Sequence, residues 1–196
     1  LQQMAKTIYD YWFTQFDFPD ANGKPYRQSK GAFIHNDQLR KAIPVGWSVD
    51  SIIDNPLSSV ITPGVDTFDI KEYLATANVN GTDILTGPLV DYDNREGRAN
   101  MQPAVNSIWF AKMKNSIKHL FLNKGMQPLI DQAILSTGFC GLQCSVNSFE
   151  YIASFISTPY FEVAKDTLAH GATQEAVNND DMKSINLLIP PVDVLK

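Results

Sequence analysis

The stretch FDFPDANGKPY at positions 16–26 most limits what this chain can fold into. Pro19 ends helical geometry, and Asn22-Gly23 is a turn pair. Ahead of the break, Leu1, Met4, Ala5, Ile8 and Trp12 recur at 3–4 spacing, which predicts a helix over 1–14 with one apolar stripe. No capping residue precedes that helix and the first residue is Leu, so the end of a longer, truncated helix is expected. Tyr9, Trp12, Phe13, Phe16 and Phe18 crowd the same region, and packing of the helix end onto the body explains them better than stacking on unpaired bases.

Behind the break every periodic stretch is short. Positions 37–42 read as a helical turn halted before Pro44, 45–54 as a strand, and 55–67, rich in Pro, Ser and Gly, as a loop. Strand or mixed signals cover 68–75 and 82–91. Positions 105–112, with Trp109 and Phe110, predict a strand that 118–123 extends into a sheet. A short helix is expected over 128–135, then a bend at STGFCGLQC. Apolar residues at 149, 152, 155 and 156 predict a helix over 148–157, and another follows over 160–169. A turn at Gly171 leads to a short helix over 180–183, capped by Asn179, and a strand over 185–190 closed by two prolines. Short strands interleaved with short helices predict a mixed α/β (α+β) class: a single globular domain with a truncated N-terminal helical arm. A length of 196 residues suits that and needs no disulfide staple.

No apolar run approaches the roughly 20 residues that span a bilayer, and the N-terminus lacks the pattern of a signal peptide. Cys140 and Cys144 have no second Cys/His pair at metal-binding spacing, so two buried free thiols are expected, on one helix face or across a bend. The net charge of −5 counts against a sequence-blind nucleic-acid binder. The distribution is uneven, however. From position 94 to 124 there are six basic residues (Arg95, Arg98, Lys112, Lys114, Lys118, Lys124) against one acid, Glu96. Lys24, Arg27 and Lys30 form a second cluster. Two readings stand for this pattern: one positive face, or scattered solvated lysines.

Three segments in order, IYDYWFTQFDFPDANGKPYRQSKG with KAIPVGW (8–31, 41–47), REGRANMQPAVNSIWFAKMKNSIKHLF with LSTGFCGLQ (95–121, 135–143), and FEYIASFIS with AHGATQEAVNNDDMKSINLLIPP (149–157, 169–191), together resemble the specificity subunits of type I restriction–modification enzymes. The resemblance implies that 1–19 is the end of a spacer helix and its hinge, and 20–196 a target-recognition domain. It implies reading of one half of a split double-stranded DNA target. It implies no catalytic residues and no cofactor here, with S-adenosylmethionine, ATP and Mg confined to partner methyltransferase and restriction subunits. It further implies a prokaryotic cytoplasmic protein that docks the methyltransferase subunits directly and the restriction subunits indirectly, with no membrane role. The departure from the family is that one recognition domain and one helix end are present, without a second helix.

Base reading needs donor–acceptor side chains, and phosphates need cations. On that chemistry Lys24, Arg27, Lys30, Arg95, Arg98, Asn100, Gln102, Lys112, Lys114, Thr173 and Gln174 are the candidates for DNA contact. Leu1, Met4, Ile8 and Trp12 are the candidates for partner docking. Asn and Gln are equally ordinary turn and cap residues. His119 reads as packed in an apolar strand, and His35 and His170 as isolated and exposed. Enzyme motifs are lacking. Asp54-Asn55-Pro56-Leu57 misses the second Pro and the aromatic of an adenine methyltransferase, and no Gly-rich strand–turn–helix is present. For a nuclease motif, Pro19-Asp20 is followed at useful distance by Asp69-Ile70-Lys71 alone, where Asp20 and Asp69 read equally as plain loop carboxylates, and a GxSxG nucleophile element is absent. The alternative from another class is a protein-interaction module that works through the helical arm and docks a modification subunit without reading bases.

Overall fold

The computed structural model describes residues 2–195. Helix α1 (Gln2–Tyr9) runs into a wide π-turn, Asp10–Thr14. Loop 19–31 then reverses the chain around Gly23 (φ +73°), where Asp20 Oδ1 accepts from the backbone N–H groups of Asn22 and Lys24. Glycine tolerates that left-handed conformation without a Cβ clash. The aromatic cluster packs onto the body: Phe13, Phe16 and Phe18 are buried and converge on Trp47.

Strands β1 (Phe33–Asn36) and β2 (Lys41–Pro44) form an antiparallel hairpin. The helical turn expected over 37–42 is therefore corrected. Asn36 Oδ1 accepts the N–H of Leu39, Arg40 adopts φ +49°, and the chain folds back as a strand instead of coiling. After β3 (Ser48–Ser51) comes β4 (Ser58–Ile61), inside the span expected to be loop. Asn55 explains it. Its Nδ2 donates to the carbonyls of Ser51 and Ile52, and its Oδ1 accepts from the N–H groups of Leu57 and Ser58, which turns the chain onto a sheet edge.

The remaining elements are β5 (Lys71–Leu74), β6 (Val79–Asn80), β7 (Asp83–Ile84), β8 (Leu89–Val90), β9 (Ala99–Met101), β10 (Ser107–Ala111), β11 (His119–Leu122), α2 (Gln127–Gln132), β12 (Ala133–Ser136), β13 (Phe139–Cys144), α3 (Phe149–Ile156), α4 (Pro159–Leu168), α5 (Asn179–Met182) and β14 (Asn186–Ile189). One four-stranded sheet is ordered β11-β10-β13-β4 and is antiparallel; another is ordered β8-β5-β12-β9, with β5 and β12 parallel. The last strand, β14, pairs antiparallel with β3. The result is a mixed α+β domain.

Strand β10 is buried at every position because it separates two cores. Alternate side chains point to opposite faces of a strand. Ile108 and Phe110 enter the larger core with α3 and Phe161 of α4, while Trp109 and Ala111 enter a smaller one with Leu74, Met101 and Leu135. Gly141, opposite Trp109 on β13, is required there: a Cβ would lie 2.4 Å from the indole ring. Cys140 and Cys144 share one face of β13, both buried and free, and burial pushes each thiol up to about 12. Helix α5 is capped by Asn178, which accepts the N–H of Asp181 in a reciprocal box; this corrects the assignment to Asn179 by one residue.

Candidate nucleic-acid interface

The β12–β13 turn at Thr137 and Gly138 is the hub of a basic surface. Thr137 N–H donates to the Arg98 carbonyl, and Lys112 N–H donates to the Gly138 carbonyl. Arg98 lies across the turn, its Nη2 3.2 Å from where a Cβ on Gly138 would sit, so the missing side chain leaves room for the guanidinium. Thr76 borders the same turn, and Lys118 Nζ donates to its carbonyl at 2.6 Å. On the other side the loop over 112–118 meets 174–177: Lys114 N–H donates to the Glu175 carbonyl, and Val177 N–H to the Lys112 carbonyl. Gln174 Nε2 contacts Met113 Sδ.

These links bring Arg98, Lys112, Lys114, Lys118 and Gln174 together from segments up to 76 positions apart in sequence (Arg98 to Gln174, 174 − 98). Glu175 lies among them and pairs with Lys114 at 2.9 Å, and Asp166 accepts the N–H of Asn115 in the same loop. Arg98 is exposed and Lys112 half-buried.

Other candidates are engaged within the chain. Arg95 stacks on the Tyr92 ring at 3.9 Å and donates to the carbonyls of Tyr92 and Ala99, which organises its own loop. Gln102 accepts from Lys71 Nζ at 2.9 Å and donates to the carbonyls of Pro103 and Ile130, at the end of β9 away from Arg98. The Asn100 carbonyl receives Gly64 N–H, and Thr173 is exposed on the turn after Gly171 (φ +143°). Lys24, Arg27 and Lys30 all lie in loop 19–31, which leads into β1. They are exposed, and Arg27 lies 5.9 Å above the Phe33 ring.

Of the docking candidates, Leu1 lies outside the described residues. Met4 (65% exposed) and Ile8 (49%) face solvent, whereas Trp12 is half-buried against the core. A cleft of about 1050 Å³ opens between α1, α3 and β11, with Tyr9, Tyr151, Tyr160 and Phe121 in its walls.

Reasoning from sequence missed the buried polar cluster beneath this surface. His119 Nε2 lies 2.8 Å from Glu162 Oε1, and Glu162 Oε2 lies 2.8 Å from Lys165 Nζ. Burial raises the Glu162 carboxyl, but the hydrogen bonds from His119 and Lys165 and their charges outweigh it, so its pKa falls below the ordinary value. The i,i+3 spacing of Glu162 and Lys165 was visible in sequence, but only their burial distinguishes the pair from a solvated one. His35 and His170 are exposed, as expected, each near a carboxylate, Asp37 at 3.5 Å and Asp181 at 3.4 Å.

Among the described residues no group of three His, Cys, Asp or Glu is placed to hold a metal ion, and no helix is long and apolar enough to cross a membrane. No family model matches the sequence, and no curated protein matches it. Solved structures do match in fold. The HsdS subunit from Thermoanaerobacter tengcongensis superposes with a TM-score of 0.51 over 77% of this chain at 16% identity. A chain from a structure describing complex assembly and conformational transition of the type I R-M system superposes with a TM-score of 0.50 over 76% of this chain at 19% identity. The matched region spans 40% and 39% of those two chains. This chain therefore has the fold of part of a type I specificity subunit.

Proposed function

We propose that this chain is a non-catalytic DNA-reading domain, the target-recognition part of a type I specificity subunit, with 1–19 as the end of a spacer helix and 20–196 as the recognition domain. It reads one half of a split double-stranded target and thereby directs methyltransferase subunits, and through them restriction subunits, in a prokaryotic cytoplasm. S-adenosylmethionine, ATP and Mg belong to those partners. The observation that carries the reading is the fold likeness over three quarters of the chain. The placement of Arg98, Lys112 and Lys118 at one turn, with Lys114 and Gln174 on the loops beside it, supports it, because phosphate contacts position a reader and Arg or Gln side chains read base edges.

The test is a graft. Residues 20–196 replace the corresponding domain of a full specificity subunit, and methylated adenines are mapped across the genome. A changed half of the methylation motif is the expected result; an unchanged motif defeats the reading. A second reading, a docking module acting through α1, is favoured by the solvent-facing Met4 and Ile8. Met4→Glu with Ile8→Glu separates the two: loss of methyltransferase co-purification with DNA binding intact assigns α1 to docking and leaves the DNA reading standing.

A further inference from the structure

Lys165 is 0% exposed, yet it carries an ammonium. Burying such a charge is costly unless it is paired and hydrogen-bonded, and an apolar residue of similar volume is often as stable or more so. Here the ammonium is fully engaged. It donates to the carbonyls of Ala111 (3.3 Å), Met113 (3.4 Å) and Ser116 (3.1 Å), and pairs with Glu162 at 2.8 Å and Asp166 at 3.7 Å. All three carbonyls belong to the end of β10 and the loop that follows, the segment that presents Lys112, Lys114 and Lys118.

Further tethers hold the same loop. Asn115 N–H donates to Asp166 Oδ1 at 3.1 Å, and Asn115 itself sits at φ +54°. Ala111 N–H closes the loop on the Lys118 carbonyl, and Lys112 and Lys114 are fixed through Gly138, Glu175 and Val177 as described above. An irregular segment has few partners for its inward carbonyls, and those left buried without one are costly. A lysine reaching up from α4 satisfies three of them with one group. A Leu or Met at this position would fill the space but leave the carbonyls unpartnered and the loop free to move.

We infer that Lys165 is a positioning residue for nucleic-acid binding. From beneath, it fixes the 112–118 loop in the conformation that meets DNA phosphates. The inference rests on the reading of this face as a DNA interface. Its physical content is preorganisation: a loop already ordered in the free protein loses less entropy on binding.

The experiment is a double-mutant cycle on the full chain. The probe is a fluorescent random-sequence DNA duplex a little over two helical turns long, titrated at low and moderate salt. Lys165→Met is combined with Glu162→Gln, so that no carboxylate is left buried without its cation, and Lys112→Ala is introduced in both backgrounds. Hydrogen exchange of 112–118 is followed alongside that of β10 and β13. The expected result is faster exchange in the loop alone, a loss of affinity of about tenfold, and a Lys112→Ala penalty that shrinks in the Lys165→Met/Glu162→Gln background because the loop no longer presents that lysine.

Asp166→Ala, which removes the Asn115 tether and the longer of the two ion pairs of Lys165, serves if the core variant does not fold; a smaller loosening with a smaller loss of affinity is expected from it. A loosened loop with unchanged affinity and an unchanged Lys112→Ala penalty overturns the inference and leaves the DNA interface intact. Lys112→Ala and Arg98→Ala binding the duplex as tightly as the wild-type chain overturns the interface itself.

Discussion

Two irregular basic segments, 24–30 and 112–118, look alike in sequence and are held in different ways. The first rides on aromatic rings near the surface: Tyr26 stacks on Phe18 at 4.6 Å and donates its hydroxyl to the Ala32 carbonyl, and Asp17 receives Gln28 N–H. The second is held from inside the protein by a buried ammonium and from the side by neighbouring loops. In the first segment the carbonyls of Lys24, Pro25, Tyr26 and Arg27 accept N–H groups of the same loop, so its backbone is closed locally and aromatic packing fixes where the loop lies. In the second segment the carbonyls are bonded by Lys165, a side chain of another element, which ties the backbone to α4 and so fixes the directions in which its lysines point.

The sharpest way to break this comparison is to remove each anchor and measure unfolding in urea. Lys165→Met alone strands Glu162 in a buried site and is expected to cost about 3–5 kcal/mol. A cost near that of a surface substitution would mean the cluster is wetter than its burial indicates. The same cluster has an acid signature. Because the Glu162 pKa is lowered on folding, its stabilisation is complete above the ordinary value of 4.5 and is lost as pH falls through the lower folded value. Stability of the wild-type chain should therefore drop more steeply in that acid window than stability of Glu162→Gln; parallel curves would remove the pair from the account.

Binding effects come next. Arg98→Ala should weaken a specific site by about 1–3 kcal/mol if Arg98 reads a base, and Lys112→Ala should lower the slope of log affinity against log salt by about 1. Lys24→Ala and Lys30→Ala measured side by side show whether the surface-held segment contributes to the same interface; equal salt effects from both segments would erase the distinction drawn here. Tyr26→Phe removes the bond to the Ala32 carbonyl and should cost about 1 kcal/mol in stability, with no effect on exchange in 112–118. The smallest effect is expected of Arg27→Ala, about 0.5–1 kcal/mol for an exposed cation over Phe33.

Periodic burial was the most legible property of the chain. Helices α3 and α4 and strands β10, β11 and β14 lie where their apolar spacing puts them, because a long buried face imposes its period on the sequence. The hairpin β1–β2 and the edge strand β4 were not legible. Their geometry is set by the Asn36 and Asn55 side chains, which bond the backbone locally in a way no hydrophobic pattern records. The segregation of basic residues was visible in one dimension as well, but which of their polar groups remain available was not. Gln102 and Arg95 are drawn into bonds with Lys71, Ile130, Tyr92 and Ala99, and Lys118 into one with a carbonyl 42 positions away.

By itself, then, the sequence determined the class of fold, the arm and its break, and the uneven charge, because these depend on near neighbours and on burial period. Tertiary structure alone decided that Arg98, Lys112 and Lys118 meet at one turn with Gln174 on the adjoining 112–118 loop, and that Lys165 lies beneath that loop rather than on the solvated face of α4. The physical reason is that a buried ion or a shared surface is defined by groups distant in sequence, and only packing brings them within the few ångströms over which hydrogen bonds and close charge pairs act.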